Sequence, residues 1–336
     1  MRRLILAILL FPIFISAQQK FADLGNFKLE SNSVIEHCKL GYRTFGRLNK
    51  DKSNVIIFPT WFGGTSEHVS SLVGENDKLV DSTKFFVIIF DAFGNGISSS
   101  PSNSGSQPDT LFPRFSIADM IEAQHKMMIE TLDIHHVYGA IGGSMGSMQI
   151  FEWIVKYPNF IEKALPYVCS PFRSSNDLLY QKTQLQIIES GRKAGMCKKE
   201  IMKSLKMMQL LLARTPKYVV ENVDRLDFNN YLKKFDTPAQ ENFPLANWEY
   251  QLRAMYNQDI TKYFDYDISK TAKAIKTKLL MIVSKTDHLL NPSSAIELSK
   301  ALGNEIIILD NNCGHLAIGC EMEKVVKIAH EFFRKN

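Results

Sequence analysis

One serine in the sequence has neighbours that fit a nucleophile. Ser144 lies at the centre of residues 142–146, GGSMG, which match the pattern G-x-S-x-G. In this pattern a sharp strand-to-helix turn exposes the serine hydroxyl, and glycines are needed because neighbouring backbone passes too close for a Cβ. Residues 137–141 form an apolar run typical of a strand, and residues 147–157 have helical spacing. Ser144 is therefore the candidate nucleophile for acyl transfer.

A serine hydroxyl needs a base that removes its proton. With this turn, the acid and then the base follow the serine along the chain, and we expect the base on a loop after the last strand. Residues 305–309 are the last strand-like run, and His315 follows them in NNCGH. His315 is the candidate base, and Gly314 allows the loop to turn so that the imidazole faces the serine.

The third candidate is a carboxylate that holds the histidine in the required tautomer. Asp287 follows the apolar run 278–283, which is the strand before the last βα unit. The sequence therefore predicts Asp287 as the acid. Asp91 and Asp310 also lie near strand ends, and we interpret both as structural.

Acyl transfer also requires hydrogen-bond donors for the oxyanion. One expected donor is the backbone N–H of the residue after the nucleophile, Met145, and the other comes from the loop 59–65, PTWFGGT. Trp61 is the predicted donor in that loop, and its side chain could line the acyl pocket. The alternative is that Trp61 and Phe62 only pack against neighbouring helices.

The elements around these residues predict a parallel sheet covered on both faces. Most of the strand candidates are continuous apolar runs rather than alternating ones, as in parallel strands buried under helices. These strands are residues 55–58, 85–90, 137–141, 164–168, 278–283 and 305–309. The helices between them are residues 117–132, 147–157, 293–302 and 321–333. The order predicts a doubly wound α/β sheet, entered through an antiparallel hairpin of residues 27–30 and 39–42.

One stretch interrupts the alternation. Residues 173–269 lack a good buried-strand run and contain long segments at helical spacing, rich in Met, Tyr and Trp. They leave the sheet at the carboxyl end of a strand, where ligands bind in open α/β sheets. We interpret them as a helical cap inserted into a core of residues 18–172 and 270–336. The alternative is that they are additional core helices.

The first 17 residues have the layout of a signal peptide. A basic start, MRR, precedes an apolar run of residues 4–15 and the small pair Ser16-Ala17. The run is too short to span about 30 Å of hydrocarbon. We expect cleavage after Ala17 and a soluble product in the periplasm or outside the cell, without stable membrane insertion. Cleavage would remove two arginines from a chain of formal net charge +5.

Composition excludes several other classes. Apolar residues make up 45% of the 336 residues and charged residues 22%, as in ordinary globular proteins. The mild positive charge is not concentrated in a run, so no nucleic-acid partner is expected. The five cysteines are scattered, without CxxC or zinc-ligand spacing, and their pairing stays open. Residues 94–102 lack the patterns of nucleotide-binding loops, and we expect no metal or cofactor.

Three segments together resemble one known family. They are residues 142–149, GGSMGSMQ, with Tyr157-Pro158; residues 93–102, FGNGISSSPS; and residues 42–49, YRTFGRLN. These segments are similar to the homoserine O-acetyltransferase branch of the α/β hydrolases, and the resemblance extends from about residue 24 to about residue 333. It implies the α/β-hydrolase fold, with a mostly parallel sheet and a helical cap. It also implies a metal-free serine acyl-enzyme that uses Ser144, Asp287 and His315.

Three departures from that branch concern the substrate. The transferases usually place an aspartate after the catalytic histidine to bind the homoserine ammonium, and here Leu316 occupies that position. Ser147 stands where the branch usually has a further glycine. An exported enzyme would also lack cytoplasmic acetyl-CoA. We therefore expect a small acyl substrate and hydrolysis of its ester or related acyl bond.

Other functions stay open from the sequence. A homoserine O-acetyltransferase-type acyltransferase is the main alternative, and a binding protein on an inactive scaffold is the weakest. A peptidase that holds a free N-terminus would need cap acids, for which Glu241 or Glu249 could serve. The oligomeric state is not indicated.

Overall fold

The computed structural model describes residues 17–233 and 243–334, so the predicted signal peptide, apart from Ala17, lies outside the described residues. Within the described part, nine strands form the main sheet, and two short strands, β4 and β5, pair separately. The strands are β1 (Lys20–Lys28), β2 (Val34–Phe45), β3 (Val55–Pro59), β4 (Val73–Gly74), β5 (Val80–Asp81), β6 (Phe86–Phe90), β7 (Val137–Gly143), β8 (Ile161–Tyr167), β9 (Lys278–Leu279), β10 (Met281–Ser284) and β11 (Ile306–Leu309).

The sheet is mostly parallel and has its antiparallel part at one edge. Its spatial order is β1-β2-β6-β3-β7-β8-β10-β11, and β9 pairs with β8. An antiparallel hairpin of β1 and β2 leads into the sheet as predicted, and β2 is antiparallel to β6. The predicted strand bounds were wrong, because residues 39–42 pair with residues 20–23 and β1 ends at Lys28. From β6 to β11 all pairs are parallel. The predicted fold class is therefore confirmed.

Helices cover both faces of the sheet. The helices are α1 (Ser66–Ser70), α2 (Ile117–Glu130), α3 (Met145–Lys156), α4 (Ser175–Lys193), α5 (Lys198–Ala213), α6 (Pro216–Asn222), α7 (Phe228–Lys233), α8 (Leu245–Tyr256), α9 (Ile268–Ala274), α10 (Ser293–Leu302), α11 (Ala317–Cys320) and α12 (Met322–Phe332). Val55 and Ile57 of β3 join a core cluster with α2, α3 and α10, whereas Ile56 and Phe58 join another with α1 and α12. The continuous apolar run of β3 thus follows from burial on both sides.

The N-terminus of α2 shows how the local sequence determines where a helix begins. The α2 helix begins after Ser116, whose hydroxyl accepts a hydrogen bond from the Asp119 N–H while the Asp119 carboxylate accepts from the Ser116 N–H. This reciprocal cap satisfies N–H groups that have no acceptor within the helix. Capping therefore sets the start of α2, the helix that packs against α3 behind the candidate nucleophile.

Helices α4 to α8 lie between β8 and β9 in the chain. Part of them packs around a third apolar cluster, which is separate from the two sheet clusters and includes Leu185, Ile201 and Trp248. Phe62, from the loop after β3, packs against this cluster. Helix α9 instead packs against α10 of the core. No helix in the described ranges combines the length and apolar character that a membrane span needs.

Candidate active site

Ser144 occupies a strained turn between β7 and α3. Its backbone has φ 55° and ψ −124°, a combination that is costly for a residue with a side chain. The turn places Ser144 at the carboxyl end of β7, in the middle of the parallel sheet. The predicted strand-to-helix context of Ser144 is thus present, with β7 ending at Gly143 and α3 beginning at Met145.

Close approaches of a backbone carbonyl and of a side-chain ring explain the glycines on either side of Ser144. A Cβ on Gly146 would lie 2.5 Å from the Pro59 carbonyl oxygen, and one on Gly143 would lie 2.0 Å from the Tyr167 ring. Real Cβ atoms do not tolerate either distance. The glycines therefore let α3 approach the end of β3 and let β8 pack beside the turn.

The structure brings the three predicted triad residues together. The Nε2 atom of His315 lies 3.0 Å from the Ser144 Oγ, and the Nδ1 atom lies 2.7 Å from Oδ2 of Asp287. The other Asp287 oxygen accepts hydrogen bonds from the Leu289 and Leu290 N–H groups, each at 2.9 Å. Asp287 is buried, with 3% of its surface exposed. This geometry suits an imidazole that donates from Nδ1 to the carboxylate and accepts the serine proton at Nε2.

The loop that carries His315 is held by the end of α5. Gly314 has φ 63°, and a Cβ there would lie 2.8 Å from the Ala213 carbonyl oxygen. The Thr215 hydroxyl donates a 2.6 Å hydrogen bond to the Asn312 carbonyl oxygen. These contacts connect the helical insertion directly to the turn that positions the candidate base.

A disulfide closes the loop that carries His315. Cys313 is bonded to Cys320, seven residues away, and His315 lies inside the loop that the bond closes. Arg214 donates from Nη1 to the Cys313 carbonyl oxygen at 3.4 Å. The sequence left the cysteine pairing open, because five scattered cysteines do not define partners.

The two predicted oxyanion donors lie on adjoining elements. Met145 is the first residue of α3, so its N–H has no acceptor within that helix. Trp61 follows β3 and lines the same cavity as Ser144. Phe62 also lines this cavity and stacks edge-on against Trp248 of α8 at 4.9 Å between ring centroids. The loop after β3 therefore both packs against the insertion and borders the candidate site.

A buried chain of amides links those two elements, and sequence reasoning missed it. Gln149 of α3 donates to the Thr60 carbonyl oxygen at 2.9 Å and to the Met145 carbonyl oxygen at 3.3 Å. Gln124 of α2 donates to Gln149 at 2.7 Å and accepts from the Trp153 indole N–H at 2.8 Å. Gln149 thus fixes Thr60, the residue before Trp61, relative to the first turn of α3.

Ser144 and His315 open onto a cavity of about 600 Å³. Its walls are mainly apolar, with contributions from the sheet ends, from α4, α5 and α8, and from the segment after His315. Burial raises the pKa of the Tyr167 and Tyr180 hydroxyls. The polar wall residues that sequence reasoning missed are Gln181, Gln184, Gln209 and Arg214.

The remaining acidic candidates have other partners. Asp91 is fully buried and accepts hydrogen bonds from Ser66 and Asn95, and Asp310 forms an exposed ion pair with Lys285. Glu249 pairs with Arg192 and Arg253. Glu241 lies outside the described residues. The structure therefore offers no support for Glu249 as a free carboxylate that would hold a peptide N-terminus.

Comparisons with known proteins agree with this fold. A family model described as the α/β-hydrolase fold matches residues 54–181. The crystal structure of an acetylester hydrolase from Corynebacterium glutamicum superposes with a TM-score of 0.86 at 24% identity, covering 95% of this chain and 96% of that chain. The chain has the α/β-hydrolase fold. A homoserine O-acetyltransferase structure from Bacillus anthracis has a TM-score of 0.83 at 20% identity, covering 95% and 98%.

Relatives of this chain at the sequence level are enzymes of one branch. A Corynebacterium glutamicum protein named as a probable esterase is 28% identical over 316 residues, covering 88% of this chain and 89% of that protein. The ethyl acetate hydrolase of Pseudomonas veronii is 26% identical over 314 residues, covering 88% of each. The homoserine O-acetyltransferase of Methanohalophilus mahii is 24% identical over 371 residues, covering 91% and 74%. The predicted resemblance is confirmed, and this α/β hydrolase is an enzyme similar to esterases.

Proposed function

We propose that this α/β hydrolase cleaves small uncharged esters through an acyl-enzyme on Ser144 and passes the acyl group to water. The observation that carries the proposal is the hydrogen-bonded series Asp287–His315–Ser144, which opens onto a mainly apolar cavity. The cavity volume of about 600 Å³ lies in the range of small-molecule sites.

The first half of the reaction forms the acyl-enzyme. His315 Nε2 takes the proton of the Ser144 hydroxyl as Oγ bonds to the ester carbonyl carbon, and Asp287 stabilises the imidazolium. The carbonyl oxygen becomes an oxyanion, for which the N–H groups of Met145 and Trp61 are the proposed donors. The carbonyl re-forms, the bond to the alkoxy oxygen breaks, and His315 gives its proton to the departing alcohol.

The second half returns the enzyme to its initial state. A water molecule gives a proton to His315 and bonds to the acyl carbon, and the same donors stabilise the second oxyanion. The bond to Ser144 Oγ then breaks, and the serine regains the proton from His315. The products are one alcohol and one carboxylic acid, and no metal or cofactor enters the balance.

The choice of water as acceptor rests on the charge of the cavity wall. Among the described residues that line the cavity, no aspartate or glutamate is present, and Leu316 follows His315. The ammonium of an amino-acid acceptor would therefore enter the cavity without a carboxylate partner, which is strongly unfavourable. Uncharged esters carry no such penalty.

One observation favours the alternative, acyl transfer to an amino acid such as homoserine. Arg214 lines the cavity, and a guanidinium pairs well with a carboxylate. The described cavity wall thus offers Arg214 as a partner for the carboxylate of an amino-acid acceptor, but it offers no carboxylate for the acceptor's ammonium.

An acceptor competition distinguishes the two functions. The mature protein is incubated with ethyl acetate or p-nitrophenyl acetate, with and without homoserine, and acetate and O-acetyl-homoserine are quantified. The proposal expects acetate to form at the same rate in both cases, and the Ser144→Ala variant to form neither product. Efficient formation of O-acetyl-homoserine by the unmodified protein would assign transfer instead.

We also propose that the enzyme works outside the cytoplasm, in the periplasm or as a secreted protein. Residues 1–17 have the layout of a signal peptide. The Cys313–Cys320 disulfide supports the proposal, because such bonds persist mainly in oxidising compartments. Edman sequencing of the protein from its native host should start at Gln18 in an extracytoplasmic fraction, and a cytoplasmic product that begins at Met1 would refute export.

A further inference from the structure

One wall residue of the active-site cavity has an unusual polar environment. Gln181 of α4 lines the cavity together with Ser144 and His315, and only 1% of its surface is exposed. Neither its Nε2 nor its Oε1 atom has a hydrogen-bond partner among the described residues. A buried amide is normally paired, because removing it from water without a partner is unfavourable.

Other buried glutamines of this protein show the normal pattern. Gln251 donates to the Phe93 carbonyl oxygen and accepts from the Gly63 N–H, each at 2.9 Å. Gln258 donates to the Pro171 carbonyl oxygen and accepts from a buried arginine. Gln184, one turn after Gln181, lines the same cavity, but its Oε1 accepts from the Trp248 indole N–H at 3.1 Å. Gln181 differs because neither atom of its buried amide is paired among the described residues, although the residue lines the cavity.

The helix that carries Gln181 is fixed relative to the candidate triad. Helix α4 begins after Ser174 with a reciprocal cap involving Asp177, one turn before Gln181. The other oxygen of Asp177 accepts a 2.8 Å hydrogen bond from the Asn291 N–H. Asn291 directly follows Leu290, whose N–H binds the Asp287 carboxylate. The unpaired amide is therefore held at a defined place relative to the acid of the triad, as a preorganised binding group requires.

We infer that Gln181 binds a hydroxyl group of the ester substrate. This inference rests on the proposed ester hydrolysis and names the substrate class. A carboxamide has one acceptor oxygen and a donor nitrogen, and a hydroxyl group can satisfy both because it donates and accepts. An ester oxygen or a carboxylate only accepts, and an ammonium only donates, so each would leave one atom of Gln181 unpaired.

The substrates of this class are neutral hydroxy-esters. The hydroxyl belongs either to the alcohol part, as in a monoester of a diol or polyol, or to the acyl part, as in an ester of a hydroxy acid. Both share the chemistry that Gln181 recognises. The substrate would complete the hydrogen bonds of a site that is otherwise unsatisfied, and such sites discriminate strongly against analogues that lack the group.

Matched ester pairs test the inference. The alcohol arm compares 2-hydroxyethyl acetate with propyl acetate, and the acyl arm compares ethyl 3-hydroxybutyrate with ethyl 3-methylbutyrate. We expect a preference in kcat/KM of about tenfold or more for the hydroxy-ester in one arm, since one such hydrogen bond is worth roughly that factor. The arm that shows the preference identifies the part of the substrate that carries the hydroxyl.

Two variants with the same chemical change assign the effect to Gln181. In Gln181→Met the preference should fall to about one, and the melting temperature should not decrease, because the change removes an unpaired buried amide. Gln186→Met alters an exposed glutamine of the same helix and should keep the wild-type preference. Equal rates for both esters in both arms of the wild type, or an undiminished preference in Gln181→Met, would overturn the inference.

Binding to an inactive protein separates this inference from the proposed function. In Ser144→Ala, ligand-observed NMR measures the affinity for 2-hydroxyethyl acetate and propyl acetate, and for the acyl pair, without turnover. A preference that is present in Ser144→Ala and lost in Ser144→Ala/Gln181→Met supports Gln181 even if the enzyme fails to hydrolyse esters. The absence of any preference in this binding assay would reject the role of Gln181 whatever the reaction.

Discussion

His315 Nε2 lies 3.0 Å from Ser144 Oγ although 171 residues separate the two in the chain. Three elements produce this approach: the strained turn after β7 raises Ser144 above the sheet, the disulfide-closed loop carries His315, and the end of α5 supports that loop. The candidate nucleophile and base therefore depend on contacts from both the sheet and the helical insertion.

The first prediction concerns the orientation of His315. Asp287→Asn should lower kcat for p-nitrophenyl acetate by roughly three to four orders of magnitude, because an amide at this position favours the wrong imidazole tautomer. The Leu289 and Leu290 N–H groups can still be paired by the amide oxygen, so the melting temperature should change little. Asp310→Asn, which alters an exposed ion pair, is the matched control. Similar turnover in both variants would remove Asp287 from the mechanism.

The second prediction concerns Gln149 as a positioning residue. Gln149→Met removes its hydrogen bonds to the Thr60 and Met145 carbonyl oxygens, so the loop that bears Trp61 is no longer fixed to α3. We expect kcat to fall by about ten- to a hundredfold from misplacement of the oxyanion donors, with little change in KM. Stability should fall by about 1–3 kcal/mol, because buried partners lose their hydrogen bonds.

A steady-state kinetic measurement and a denaturant titration check both parts of that prediction. Gln186→Met on the surface of α4 serves as the control for the chemical change. A loss of stability without a fall in kcat would show that Gln149 acts only in folding.

The third prediction concerns the disulfide. Cys313→Ser/Cys320→Ser opens the loop that contains His315, so we expect a lower kcat with a stability loss of about 2–3 kcal/mol. Treatment of the wild type with dithiothreitol should reproduce the kinetic effect. Cys197→Ser, which replaces an exposed free cysteine, should match the wild type in both assays. Unchanged turnover after verified reduction would show that α5 alone holds the loop.

The fourth prediction concerns Leu316, which lines the cavity and is 45% exposed. Leu316→Asp should lower kcat/KM for ethyl acetate, because it places a carboxylate beside His315 in a mainly apolar wall. It should not by itself create full transfer to homoserine, since other parts of the wall would also have to fit the acceptor. Leu316→Asn controls for polarity without charge. Product analysis that finds O-acetyl-homoserine as the main product of Leu316→Asp would contradict this account.

Much of the fold was predictable because strands buried on both faces appear in the sequence as continuous apolar runs. The apolar runs at 55–58 and 137–141 predict buried parallel strands, and the structure has β3 and β7 there. Element ends were less accurate: the helix predicted at 147–157 begins at Met145, immediately after Ser144, because the strained turn leads directly into it. The short strands β4 and β5 were not predicted, since elements of two residues carry little periodicity.

The triad residues could be predicted because their order along the chain identifies them. Site residues that depend on tertiary contacts could not be predicted. Order and spacing selected Ser144, Asp287 and His315, and the structure places them within hydrogen-bond distance. Their catalytic roles, and the oxyanion roles of Trp61 and Met145, stay predictions until they are tested. Gln149 and Gln181 were missed, because a glutamine at helical spacing gives no sign of whether its amide is exposed, paired in the core or buried without a partner.

The most direct test of the central claim is active-site titration with a p-nitrophenyl alkylphosphonate, followed by peptide mapping. We expect that one p-nitrophenol is released per protein molecule, that the phosphonate is found on Ser144, and that esterase activity falls in proportion to labelling. The Ser144→Ala variant should fold normally, release no p-nitrophenol and hydrolyse no ester above background. A label on another residue, or turnover by Ser144→Ala at the wild-type rate, would contradict the proposal.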